Sequence, residues 1–179
     1  TNEITRLSKN LGVASSSLVK VSRILSQSGL SIRQTRVALE ALAKTDLAPT
    51  FKNIETTADG AIAIMRQFGI GANQLEQALG AVNAVAGKFA VESDDIIAAV
   101  KRAGGVFAAT SKGVVEGAEA LNQFIAIFTS VRATTREGAE TIATGLRTIF
   151  TRIQRPSTIK FLQQLGINLQ DAEGKFVGG

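Results

Sequence analysis

Apolar residues three and four positions apart recur along nearly the whole chain, as in Leu18, Val21 and Leu25 or Leu75, Leu79, Val82 and Ala86. That spacing places them on one side of an α-helix, whereas a half-buried strand needs alternation at every second residue. The expected fold class is therefore all-α, a compact multi-helix domain of about eight or nine helices. Only INLQDAEGKFVG at 167–178 changes period, and its turn-like Asp171-Ala172-Glu173-Gly174 allows a small C-terminal β-hairpin.

Capping residues, glycines and prolines divide the pattern. Helices are expected over about 3–10 and 15–28, and a third from Ser31 to about Lys44, where Ser31 and Gln34 have the form of a capping box. DLAPTF at 46–51 breaks that helix, because Ala48 precedes Pro49 and is pushed towards extended geometry. A fourth helix fits 53–68 and ends at Gly69 and Gly71; a fifth opens with Asn73 as N-cap and Glu76 at N3 and runs to Phe89. Ser93 is expected to cap a sixth, through Val100, that stops near Gly104 and Gly105. A short piece at 106–110 follows, then helices at 114–130, 134–155 and 157–166. The chain, 179 residues long, suits one continuous domain, with N-terminal helices at 1–45 ahead of a core region at 46–179.

Cys, His, Trp and Tyr are all absent. Their absence removes the thiolate nucleophile, the imidazole base and the His/Cys metal cluster, and with them most chemistry available at neutral pH. No active site, cofactor or metal site is expected. Glu92, Asp94 and Asp95 form the densest acidic cluster, but beside Ser93 at a helix start they complement the helix dipole. FGIGAN lacks the third glycine of a dinucleotide fingerprint and SKGVVEG lacks the Gly-Lys-Ser/Thr of a phosphate loop, so both read as helix-ending glycines. The densest apolar runs, AIAIM at 61–65 and FIAIF at 124–128, fall far below the ~20 residues of a membrane span. The start at TNEITRL and the Gly-rich end at KFVGG suggest a piece of a longer polypeptide.

The net charge is +5, and REGAETIATGLRTIFTRIQRP at 136–156 holds four arginines on one expected helix. Stepping 100° per residue places Ile142, Leu146, Ile149, Phe150 and Ile153 in one arc as a buried stripe. Arg136, Arg147, Arg152 and Arg155 lie across the opposite arc with Glu137, Glu140, Thr144, Thr148 and Thr151. Arg136 and Glu140 have the i,i+4 spacing of an ion pair, and Thr134 with Glu137 has the form of a capping box. A mixed face of this kind reads as the solvated side of a packing helix rather than a continuous phosphate-tracking stripe. Phe68, Phe89, Phe107, Phe124, Phe128, Phe150 and Phe161 read as packing anchors, with self-association open to any stripe left uncovered.

Several phrases occur together in a fixed order: ALEALAKTDLAPTF at 38–51, FAVESDDIIAAVKRAGGVFAATSKGVVEGAEAL at 89–121, SVRATTREGAETIATGLRTIFTRIQRPSTIKFLQQLGI at 130–167, and DAEGKF at 171–176. From about residue 30 onward the chain resembles the phage tail tape measure protein family, in the helical domain shared by tape measures of long-tailed phages and prophages. The resemblance implies a structural virion protein and not an enzyme. Such proteins occupy the tail tube lumen, set tube length during assembly in the host cytoplasm and leave ahead of the DNA at infection. Implied partners are the tail tube protein, the tail assembly chaperones and the tail tip or baseplate proteins, with no specific nucleic-acid sequence and no transmembrane span in this segment. The resemblance carries no catalytic or ligand-binding residue with it. Two other readings follow from charge and amphipathicity: a nucleic-acid-binding helical module using the basic 132–160 region, and a membrane-active helical domain.

Overall fold

The first three helices form where caps and apolar spacing agree. In a computed structural model that describes residues 2–171 and Gly174, α1 spans Asn2–Leu11, α2 Ser15–Gln27 and α3 Ile32–Thr45. The Ser31 capping box is formed: the Gln34 N–H donates to Ser31 Oγ at 3.2 Å and the Ser31 N–H to Gln34 Oε1 at 2.9 Å. After the Pro49 break, α4 runs over Ile54–Phe68. Asn53 caps it by accepting from the N–H groups of Glu55 (2.9 Å) and Thr56 (3.1 Å), and Gly69 ends it at φ +65°. The break itself is pinned. Ser93 Oγ donates to Thr50 Oγ1 at 2.8 Å, Thr50 Oγ1 donates to Asn83 Oδ1, and the Ser93 N–H donates to the Thr50 carbonyl at 3.2 Å.

Two caps differ from the sequence expectation. A 3-10 turn at Ala72–Gln74 precedes α5 (Leu75–Phe89), and its cap is Gly71, whose N–H donates to Gln74 Oε1 at 3.2 Å; Asn73 lies inside the turn. Ser93 is the first residue of α6 (Ser93–Ala99) and fully buried, its hydroxyl engaged by Thr50 rather than by its own helix.

The larger correction concerns Gly104 and Gly105, which do not stop the helix. α6 continues through a π-helical segment, Val100–Gly104, directly into α7 at Gly105–Ser111. Both glycines hold ordinary helical φ angles (−62° and −65°), so neither supplies the left-handed turn that ends a helix. Gly104 is small for another reason. A Cβ on Gly104 would lie 2.7 Å from Gln67 Oε1 and 3.0 Å from Phe68 Cε2, so α4 packs against bare backbone here. Gln67 Nε2 also donates to the Lys101 carbonyl at 3.3 Å, satisfying an acceptor within the widened turn.

α8 (Gly117–Thr135) starts three residues later than expected and continues past residue 130. Gly113 takes positive φ (+85°) in the turn before it, where its N–H donates to Glu116 Oε1 at 2.9 Å, and Gly117 takes positive φ (+61°) as the first residue of α8. Thr134 and Thr135 belong to its last turn and donate to the carbonyls of Ser130 and Val131, so the expected Thr134–Glu137 capping box does not form. Arg136 ends α8 in the left-handed region (φ +58°). Arg132 Nη1 closes the turn by donating to the carbonyls of Arg136 (3.0 Å) and Glu137. α9 then spans Ala139–Ile153, and α10 spans Pro156–Gln164 with its proline at the first helical position. Of the expected hairpin turn, Asp171 and Gly174 are described, and the Gly174 N–H donates to the Asp171 carbonyl at 3.0 Å. Residues 172, 173 and 175–178 of that hairpin lie outside the described residues.

Buried side chains from Leu7 to Leu146 form one contiguous core. α2 packs on α3 and α4, α3 on α5, α5 on α8, and α9 covers α6 and the π segment. At the crossing of α4 and α6 the backbones approach closely, with Gly60 facing Ile97. A chain of rings joins four helices: Phe68 to Phe124 at 6.4 Å, Phe124 to Phe107 at 5.6 Å, and Phe107 to Phe150 at 5.1 Å between centroids, all tilted as aromatic quadrupoles favour.

Candidate functional site

The amphipathic pattern of α9 places its inner face on α6, the π segment and α7. Ile142 and Leu146 are buried and Phe150 and Ile153 half-buried, whereas Ile149, expected in the same stripe, is 56% exposed. At the end of the helix, Gln154 Nε2 donates to Thr110 Oγ1 and ties α9 to α7.

The outer face of α9 is more concentrated in charge than its sequence suggests. Arg147, Arg152 and Arg155 line a concavity of about 390 Å³, and Arg102 reaches the same concavity from the π segment. Arg136, the fourth arginine of the 136–156 stretch, is not among its lining residues; it sits outside α9, at the end of α8. The expected Arg136–Glu140 pair is likewise replaced, since Glu140 accepts from Arg102 Nη1 at 3.2 Å. Among the described residues, Arg147, Arg152 and Arg155 have no carboxylate within ion-pair distance. The rest of the lining is Thr144, Thr148 and Thr151. Thr144 and Thr148 donate their hydroxyl protons to the carbonyls of Glu140 (2.8 Å) and Thr144 (3.0 Å), which leaves the guanidinium groups as the principal outward donors. No local signal in the sequence marks Arg102's part, because it lies forty-odd residues upstream and its position depends on tertiary packing.

Elsewhere several charged groups have structural partners, while Thr35 Oγ1, Gln67 Oε1 and Asp94 Oδ1 are buried without a hydrogen-bond partner among the described residues. Glu92 pairs with Lys52 at 3.5 Å, and Asp94 and Asp95 occupy the first turn of α6. No group of three or more His, Cys, Asp or Glu side chains among the described residues is placed to hold a metal ion. The resolved pKa shifts also lie away from the groove. A hydrogen bond and the nearby charge of Arg6 lower Glu3, Glu76 raises Lys44, and burial raises Asp46. Phe68, Phe107, Phe124 and Phe128 are buried anchors as expected, but Phe89 and Phe161 are exposed, as are Leu165 and Ile167. No described helix is long and apolar enough to cross a membrane.

An all-helical core knit by rings, caps and close backbone contacts, with four arginines around one concavity at its surface, has the form of a structural packing module. The chain belongs to the phage-related minor tail protein family, whose model matches residues 1–179. It is thus a structural protein of the phage tail. No solved structure matches it.

Proposed function

We propose that this chain is a folded segment of a tail tape measure: it occupies the tube lumen, contributes to setting tube length during assembly, and leaves ahead of the genome at infection. The observation that carries this reading is the tail-family match over residues 1–179 of a chain whose described residues are mostly helical. The ordered phrases at 38–51, 89–121 and 130–167 support the tape measure in particular. Its partners are then the tail assembly chaperones that coat it, the tube protein that polymerises around it, and the tip or baseplate proteins at one end. Its role is architectural, not enzymatic.

A helix extends 1.5 Å per residue, so these 179 residues drawn out as one helix would span roughly 270 Å, many times the reach of any single helix in the folded bundle. The experiment is a series of in-frame deletions in the full-length tail protein, with tails measured by electron microscopy. Tails that shorten with the helical residues removed, or fail to form, support the proposal. Tails of parental length after a large deletion overturn the length-setting role.

A further inference from the structure

We propose that the groove formed by Arg102, Arg147, Arg152 and Arg155 binds the phosphate backbone of duplex DNA without reading its sequence. The inference goes beyond the tape-measure reading and stands independently of it. It rests on two elements converging: three arginines come from α9 and its C-terminal end and the fourth from the π segment, around one concavity of about 390 Å³. The helix dipole accounts for basic residues in the last turn of α9 but not for Arg147 in mid-helix or for Arg102 on another element.

The arrangement is regular along the helix. Arg147 and Thr151 share one i,i+4 row of α9 and Thr144, Thr148 and Arg152 form the next, while Arg155 follows in extended backbone just beyond the helix. From Thr144 to Arg152 the lining runs about 12 Å along α9, room for more than one phosphate. All four cations are arginines, whose planar forks donate two hydrogen bonds to a single oxyanion; a lysine offers only a point charge. Glu140 pairs with Arg102 alone and its side chain is 82% exposed, while Asp94 lines a neighbouring concavity with Arg102 and Glu140.

The lining also discriminates between polyanions. It contains only arginine and threonine, with no aliphatic or aromatic side chain. A protein partner usually fixes itself with an apolar or aromatic anchor in a desolvated pocket, which this groove does not offer. Single-stranded nucleic acid is ordinarily held by aromatic stacking, which is also missing. What remains is contact to the backbone of a duplex, the class of contact that positions a protein but carries no sequence information.

The test is a fluorescence-anisotropy titration of the whole chain with two short duplexes of unrelated sequence across a range of salt concentrations. The parent should bind both equally, with affinity falling steeply as salt rises. Arg147→Gln/Arg152→Gln/Arg155→Gln removes three exposed charges and should weaken binding about tenfold or more at low salt, lowering the salt slope by about 1 for each phosphate that is no longer neutralised. Arg23→Gln/Arg33→Gln/Arg36→Gln removes the same charge from exposed positions on α2 and α3 and should leave binding near the parental value. Circular dichroism checks that both variants remain folded. The proposal is overturned by no duplex binding at low salt, by equal weakening in the two triple variants, or by tighter binding of polyglutamate or single-stranded DNA than of duplex under the same conditions.

Discussion

Replacing Gly60 by alanine would place a methyl carbon 2.1 Å from Ile97 Cγ2, with Ile97 Cβ at 3.3 Å and Cδ1 at 3.4 Å. The obstacle is a β-branched side chain, stiff about χ1 in a helix and only 1% exposed, so it cannot swing into solvent. α4 and α6 would have to separate, or Ile97 leave its preferred rotamer. Overpacking of this kind costs about 1–3 kcal/mol, and an approach this short belongs at the upper end. Alanine recovers about 1 kcal/mol of helix propensity over glycine. The net loss is then about 2 kcal/mol, which lowers Tm by roughly 4–8 °C for a domain of this size. Far-UV circular dichroism during heating, with urea unfolding as a second measure, reads the change. Gly80→Ala is the internal control, because nothing lies within 4 Å of its added Cβ, and it should gain about 1 kcal/mol from propensity alone. Ile97→Leu removes the offending branch, so Gly60→Ala should cost much less in that background. A Gly60→Ala protein that melts at or above the parental temperature would refute the close approach of α4 and α6.

Two further outcomes follow from the polar groups. Thr50→Val removes the hydroxyl between Asn83 and the fully buried Ser93, and should lower stability by about 1–3 kcal/mol in urea unfolding, because Ser93 Oγ loses its acceptor. Burial holds the Asp46 carboxyl above its ordinary pKa of 3.8, so its charged form opposes folding above the folded-state pKa and that penalty fades as pH falls through it. Asp46→Asn should therefore raise the urea midpoint at neutral pH, with the advantage shrinking under acid; an advantage that grows under acid would reverse the assignment.

The parts legible in sequence are those decided within a few residues. Ser31 with Gln34, and Gly69 after α4, each act through neighbours in the chain. Gly104 and Gly105 carry the same local signal as a helix stop, yet the small size of Gly104 serves packing against Gln67 and Phe68, thirty-odd residues away. Thr134 and Glu137 similarly match a capping pattern, but α8 extends through that site, and Arg132 completes the turn instead. For the candidate groove, Arg147, Arg152 and Arg155 are visible on the helical wheel as members of a mixed polar face. Arg102 is not, and neither is the diversion of Glu140 towards it, because both depend on α9 settling against the π segment.

The π segment also sets the phase of everything that follows it in the helix. Each residue of a regular α-helix turns the chain by about 100°, so deleting one residue from Val100–Gly104 would rotate α7 by about that amount relative to α6. Phe107 would swing away from Phe124 and Phe150, while Ile96 and Ile97 kept their places in the core. A single surplus residue thus acts as a timing element: it lets one helix keep aliphatic side chains in register at its start and an aromatic in register at its end, two alignments that an uninterrupted α-helix of one residue less could not hold together.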